Sequence, residues 1–220
     1  MKVRPKVGRV GGKLVFMTDQ SELQRWEQRF AAPGYLFGTA PNKFLKDHAH
    51  LLKKGQKALA IADGEGRNGV FLAEQGLDVL SVDFSPIAQE KARRLAEERG
   101  ASLRFEQADI IHWDWPEAVF DVVVAIFFQF VLPPERDKIF AGIKKTLKPG
   151  GLLLLEGYGP KQLEYKTGGP SNLAQLYTPE LLEQAFADFS LRQVRAYDEV
   201  IDEGPRHSGM SALVDLVARK

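Results

Sequence analysis

The residues best suited to chemistry in this chain fall in four short clusters. The first is Gly64-Glu65-Gly66-Arg67-Asn68-Gly69, directly after an apolar run and directly before a helical pattern. Glycines at such spacing turn the backbone tightly and expose main-chain N–H groups at a helix N-terminus, where a polar or anionic ligand is held. The second is Asp83, which closes the next apolar run; a carboxylate there accepts two hydrogen bonds from a vicinal diol such as that of a ribose. The third is Asp109 within Ala108-Asp109-Ile110, placed either to accept a hydrogen bond from an adenine amino group or simply to end a strand. The fourth is His207, in the turn between Gly204 and Gly209 and close to Asp202 and Glu203. An imidazole that titrates near neutrality suits a base or a substrate-orienting group, with turn capping and plain solvation as the competing readings.

The elements that must position these residues follow from the hydrophobic pattern. From Lys57 onward apolar runs alternate with helical spacing, the habit of a parallel sheet covered on both faces. Strands are expected over 57–62, 78–83, 103–107, 120–127 and 152–157. Helices are expected over 66–75, over 85–100 with Ser85 and Pro86 at the cap and first-turn positions, over 134–147 with a stop at Pro149, Gly150 and Gly151, and over 179–186. The chain ends in two long strand patterns, 190–201 and 211–219, joined by a loop too short for a crossover, so they are expected to pair antiparallel. Residues 1–18 carry Lys2, Arg4, Lys6, Arg9 and Lys13 with no acid before Asp19; with Gly11 and Gly12 arguing against regular structure, they read as a flexible basic arm.

Taken literally, the glycine loop is the Gly-x-Gly-x-x-Gly fingerprint of dinucleotide sites. NAD and S-adenosylmethionine both carry an adenosine ribose, so the loop and Asp83 do not decide between them. Asp83 follows Gly69 by 14 positions, against roughly 20 in dinucleotide domains. Leu147-Lys148-Pro149-Gly150-Gly151 before a strongly apolar strand, and the terminal antiparallel hairpin, also favour the second cofactor. At these residues, which span 58–157, the chain resembles the class I S-adenosylmethionine-dependent methyltransferases. More narrowly, Tyr35-Leu36-Phe37-Gly38-Thr39-Ala40-Pro41-Asn42-x-Phe44-Leu45, the Gly64-to-Asn68 loop and the Asp202-to-Gly209 ending resemble the tellurite-resistance-type methyltransferase family.

The resemblance implies an α/β, Rossmann-like, seven-stranded sheet in the order 3-2-1-4-5-7-6, with strand 7 antiparallel and helices on both faces. It implies a single domain over 19–220 whose residues 19–56, around Trp26 to Leu45, close as a lid over the cofactor. The residues expected around S-adenosylmethionine are Ala62, Asp63, Gly64, Gly66, Arg67, Asn68, Asp83, Phe84, Ser85, Ala108, Asp109, Ile110 and Ile126. Trp26, Tyr35, Phe127, Tyr158 and Tyr165 are expected at the methyl acceptor, with His207 as the catalytic candidate. One departure stands out. Class I members have an acid near the end of strand one, two residues before their first glycine, and those two places hold Ala60 and Ala62 here. That acid ordinarily positions the methionine amino group, and Asp63 is the carboxylate placed to replace it.

Composition narrows the alternatives. With 30 Lys and Arg against 29 Asp and Glu, the net charge of +1 supplies no long-range field for nucleic acid or anionic lipid. The chain has no cysteine, which removes disulfides, thiolate metal sites and a cysteine nucleophile; His48, His50 and His112 do not form a metal-ligand spacing. No apolar run is long enough to span a bilayer, so a cytoplasmic protein is expected, monomeric or homodimeric, acting on a small-molecule acceptor without a metal. The expected activity is methyl transfer from S-adenosylmethionine to a thiol, amine, phenol or soft oxyanion of the tellurite or selenite type. An NAD(P)-dependent oxidoreductase and a catalytically silent S-adenosylmethionine-binding protein are the alternatives.

Overall fold

The computed structural model describes residues 8–10, 13–15, 17–205 and 207–220. Seven strands form the central sheet: β1 (Lys57–Ile61), β2 (Asp78–Asp83), β3 (Arg104–Gln107), β4 (Phe120–Ile126), β5 (Leu147–Tyr158), β6 (Ser190–Asp202) and β7 (Ser208–Arg219). Their spatial order is β3-β2-β1-β4-β5-β7-β6, parallel through β5, with β7 antiparallel to both neighbours. This is the order and polarity expected.

The sheet is apolar on both faces because successive side chains alternate. Leu59, Ile61, Val123, Ala125, Leu153 and Leu155 face one layer, where α5 (Pro133–Thr146) and α7 (Pro179–Ala185) supply Ile139, Phe140, Ile143 and Leu182. Ala58, Ala60, Val122, Val124, Leu152 and Leu154 face the other, where α2 (Lys43–Asp47) brings Phe44 and Leu45 and α3 (Arg67–Glu74) brings Phe71 and Leu72. Fully burying side chains such as Phe44 and Leu45 is worth about 1.5–3 kcal/mol each, which seats the short α2 despite its five residues. The remaining helices are α1 (Met17–Phe30), α4 (Pro86–Arg99) and the single-turn α6 (Gln162–Tyr165). At the start of α4 the Ser85 hydroxyl accepts from the Ala88 N–H and Pro86 takes the first turn, as the sequence indicates.

Two expectations are corrected. The 134–147 helix is not stopped by Pro149, Gly150 and Gly151: α5 ends at Thr146, and those residues lie inside β5, whose register against β4 shifts there. The glycines thus form an irregularity at the strand start, pinned by Gly150 N–H donating to Lys220 O at 2.8 Å and Lys220 N–H donating to Gly151 O at 3.0 Å. In the basic arm, Gly8–Val10 and Lys13–Val15 pair as a small antiparallel hairpin and α1 begins at Met17, so part of it has regular structure despite the two glycines. The rest of that arm, residues 1–7, 11, 12 and 16, lies outside the described residues.

Candidate active site

The carboxyl ends of β1, β2, β3 and β4 open into a cavity of about 530 Å³, lined by Leu23, Ala62, Asp83, Phe84, Gln107, Ala108, Asp109, Ile110, Ile111, Phe130, Val131, Leu132 and Glu135. Six of the expected cofactor residues are in its wall: Ala62, Asp83, Phe84, Ala108, Asp109 and Ile110. Asp83 is held rigidly, with Oδ2 accepting from Gly64 N–H at 2.8 Å and Oδ1 accepting from Ser85 N–H at 2.9 Å. Each oxygen keeps lone-pair capacity for a hydroxyl donor. Burial pushes the carboxyl up to about 6, against the pull of those backbone donors. Phe84 and Phe130 lie parallel, ring centres 6.2 Å apart, as flat apolar walls. Asp109 has one oxygen on Ile111 N–H and the other 2.7 Å from His112 Nδ1.

The glycine loop departs from expectation at Asp63. This carboxylate points inward, accepting from Gly69 N–H at 3.1 Å and from the Ser81 hydroxyl at 2.7 Å, and burial pushes it up to about 7. It braces the loop against β2, and both oxygens are committed away from the cavity. Ala62, standing where the resemblance places the first glycine, adopts φ +46°, a left-handed conformation that glycine reaches without steric cost. Gly66 caps α3 with φ +87°; a Cβ there would meet Ala92 Cβ of α4 at 2.5 Å.

The glycine loop is also tied to chain segments that are distant in sequence. Glu65 accepts from Leu36 N–H at 2.6 Å and pairs with Lys91 at 2.9 Å, and Lys91 also donates to the carbonyls of Ala32 and Gly34. Glu203, in the β6–β7 turn, accepts from Arg67 Nη2 at 2.7 Å, from Lys43 N–H at 2.8 Å and from the Asn42 amide at 3.2 Å. Asn42 donates in turn to Glu156 at 2.6 Å, and its backbone N–H donates to Asn68. Glu156 on β5 lies directly opposite Asp215 on β7, both buried; desolvation raises both carboxyls, and the neighbouring Asp215 raises Glu156 further. Of these, Glu65 belongs to the glycine loop and Asn42 and Glu203 to the other runs of the resemblance, whereas no motif announces Glu156.

His207 lies inside this closure, 8% exposed, its ring 4.5 Å from those of Phe37 and Phe127 and 5.8 Å from that of Tyr158. Desolvation, helped by the charge of Arg67, lowers its pKa to about 3, so the imidazole is neutral. Phe127, at the end of β4, takes φ +52° and stacks on Tyr158 at 4.6 Å. Arg67 Nη1, His207 Nδ1, Tyr158 Oη and Asp215 Oδ1 are buried here without a hydrogen-bond partner. Buried polar groups without partners are uncommon in native folds.

The other candidates are placed apart. Trp26 packs in the lid on Phe30 and Phe37. Tyr35 joins Val70, Leu95 and Ala96 beside α4, with its hydroxyl on the Lys91 carbonyl, and Tyr165 packs against Lys161. Neither is brought to the Phe127 cluster. Ile126 is a core residue of the α2–α3 layer, and Ser85 serves as helix cap and accepts no ligand-facing role in the cavity wall. Leu23, Gln107, Ile111, Val131, Leu132 and Glu135 line the cavity without any motif to announce them.

The sheet order, the glycine loop after β1 and the acid closing β2 define the Rossmann-like methyltransferase fold. Residues 58–151 match the family model of the methyltransferase domain. Over 112 residues the chain is 34% identical to demethylmenaquinone methyltransferase of Thermus thermophilus, covering 50% of each protein. The chain spans about half the length of the curated relatives it matches first. Among solved structures it is similar to N-methyltransferase NodS from Bradyrhizobium japonicum in complex with S-adenosyl-L-homocysteine, with a TM-score of 0.66 at 15% identity over 90% of this chain and 97% of that one. It is also similar to TehB from Haemophilus influenzae, with a TM-score of 0.64 at 17% identity over 90% and 67%.

Proposed function

We propose that this protein is an S-adenosylmethionine-dependent methyltransferase acting on a small molecule. The observation that carries this reading is the Asp83 carboxylate, fixed by two backbone N–H groups in the wall of a cavity at the carboxyl edge of the sheet. Its oxygens suit the ribose diol, the parallel Phe84 and Phe130 rings suit an adenine plane, and Asp109 suits the adenine amino group. The unpartnered Arg67, His207 and Tyr158 atoms suit a polar ligand reaching past Ala62. The matched family domain supports the same reaction class.

When bound, the cofactor supplies an electrophilic methyl group on a sulfonium, and displacement leaves a neutral thioether. The chain's contribution is then alignment and exclusion of water. Phe37, Phe127 and Tyr158 wall the closure with apolar rings, and segment 19–56 acts as a lid held by Glu65, Lys91 and Glu203. With its pKa lowered to about 3, His207 orients the acceptor and does not remove a proton at neutral pH. That favours acceptors that are nucleophilic as they arrive, a thiolate or a soft oxyanion of the tellurite or selenite type, over protonated amines and phenols. On this reading the protein works in the cytoplasm as a monomer or homodimer, without nucleic acid or membrane; no helix among the described residues is long and apolar enough to cross a bilayer.

The test is calorimetric titration with S-adenosylmethionine, S-adenosylhomocysteine and NADH, followed by S-adenosylhomocysteine release with thiols, amines, phenols, tellurite and selenite. Binding of both adenosyl ligands and turnover with one acceptor class are expected. NADH binding alone would replace this reading with an oxidoreductase, and cofactor binding without turnover on any acceptor would leave a silent binder.

A further inference from the structure

β6 is the last strand of the central sheet, and among the described residues no strand runs along its outer edge. The β6–β7 turn fixes which backbone groups that edge presents. Glu203 N–H donates to His207 O, and with the hairpin register this directs the N–H and C=O of Arg195, Tyr197, Glu199 and Ile201 toward β7. Those of Val194, Ala196, Asp198, Val200 and Asp202 therefore point outward. The register shift between Ser190 and Gln193 and the turn after Asp202 bound this regular stretch on either side. Charge along it is segregated: Arg195 stands two residues before Tyr197 and Glu199 two residues after. Val200 is 64% exposed, and Met210, directly opposite it on β7, is 40% exposed. A charged edge ordinarily deters pairing, because an incoming strand meets like or unpartnered charge. On this edge the order of charges is complementary to itself.

We propose that β6 pairs antiparallel with β6 of a second copy of this chain, about a two-fold axis at Tyr197, so that two sheets join into one. In that register Ala196 faces Asp198 of the second copy and Val194 faces its Val200, and each pair exchanges the outward N–H and C=O groups. Arg195 faces Glu199 of the second copy, twice by symmetry, and Tyr197 faces its own equivalent in the closer, non-hydrogen-bonded kind of pair. Arg195, Tyr197 and Glu199 share one face of the strand, where Arg195 lies over the Tyr197 ring at 3.9 Å and Glu199 meets the exposed Lys43 at 3.6 Å. On the other face, Leu216 and Val194 of one copy continue into Val200 and Met210 of the second, an apolar row that covers two side chains otherwise left in water. Sliding one strand by two residues keeps the hydrogen bonds but sets Arg195 against Tyr197 or Ile201, and Glu199 against Gln193 or Tyr197. Charge therefore selects a single register.

Sedimentation velocity on the full chain over a range of concentrations is the test; it needs no cofactor, so its outcome is independent of the methyl-transfer reading. Wild type is expected to form a concentration-dependent dimer. Arg195→Glu and Glu199→Arg each turn two attractive cross-axis pairs into two repulsive ones and are each expected to weaken the dimer about tenfold. The double variant R195E/E199R restores opposite charges across the axis and is expected to return the dimer close to wild-type strength. Ala196→Pro removes an outward N–H that β7 does not use, at a kind of position where edge strands tolerate proline, and is expected to give a monomer that melts like wild type. Should Ala196→Pro not fold, the three charge variants decide the question alone. A wild type that stays monomeric at every concentration would overturn the proposal and leave the edge to some other strand-donating chain. A dimer indifferent to the charge reversals and to proline would place the interface elsewhere and sink it equally. A double variant no tighter than the single ones would refute the register.

Discussion

Substituting Gly204 tests whether the β6–β7 turn and the lid form one closing unit. Gly204 has φ +94°, and a Cβ built there lies 2.4 Å from Gly38 N, 2.6 Å from the Phe37 carbonyl carbon and 2.9 Å from Phe37 Cα. All three are backbone atoms, so no rotamer change relieves the contact. Reaching an ordinary separation of 3.4 Å requires about 1 Å of movement between turn and lid. The bond from Lys43 N–H to Glu203, now 2.8 Å, would stretch beyond hydrogen-bonding range if that movement is carried along the turn. The left-handed backbone adds about 1–3 kcal/mol, and a lost hydrogen bond to a carboxylate adds about 1.5–3 kcal/mol. Gly204→Ala is therefore expected to cost about 2.5–6 kcal/mol in urea unfolding and to weaken S-adenosylhomocysteine binding. Gly34→Ala is the control: it has φ +74°, lies in the same lid, and nothing stands within 4 Å of its Cβ, so only the backbone cost of about 1–2 kcal/mol applies. Equal unfolding midpoints and equal ligand affinities for the two variants would refute the coupling.

Other consequences are as direct. Asp83→Asn should lower S-adenosylhomocysteine affinity about 10–100-fold. Because the wild-type carboxyl is pushed up to about 6, affinity should fall about tenfold per pH unit below that value in wild type and stay flat in the variant, as calorimetry at several pH values will show. For folding the sign is opposite: between 3.8 and about 6 the folded state holds this proton more tightly than the unfolded chain, so this group's contribution to stability declines as pH rises through that window. His207, lowered to about 3, gives the reverse trend, since the unfolded chain takes its proton first and stability from this group grows as pH rises toward 6.5; His207→Asn should remove that dependence in urea titrations. The same neutral imidazole should leave no histidine limb near 6.5 in the rate profile of the wild-type enzyme. Asp63→Ala strands Gly69 N–H and the Ser81 hydroxyl and should destabilise the fold by about 1–3 kcal/mol, with ligand affinity falling only as far as the loop loosens. A large affinity loss at unchanged melting temperature would return Asp63 to the methionine amino group.

Local chemistry was enough to read the frame of this protein. The alternation of Ala58, Leu59, Ala60 and Ile61 announces a strand buried on both faces, Ser85-Pro86 marks a helix start, and two long terminal strands with a short loop can only pair antiparallel. Asp83 could be placed in the site because it ends a strand at the carboxyl edge, where position along the chain already dictates position in space. Pro149, Gly150 and Gly151 satisfy a helix terminus and a strand irregularity equally well, and only pairing with β4 and Lys220 selects between them.

Where a side chain points, and what it meets across 100 residues or more, is decided by packing alone. Asp63 looks like a ligand carboxylate by its neighbours, but Ser81 on the adjacent strand turns it inward. Glu203, Asn42, Glu156 and Arg67 bear no common motif and meet only because β5, β7, the lid and the glycine loop converge at one edge of the sheet. His207 carries an ordinary imidazole in sequence and a neutral one in the fold, since burial among Phe37, Phe127 and Tyr158, with Arg67 close by, removes the water that would stabilise its charge. Backbone pattern is a local property and can be read in order; desolvation and convergence are properties of the assembled volume, which no single stretch of the chain contains.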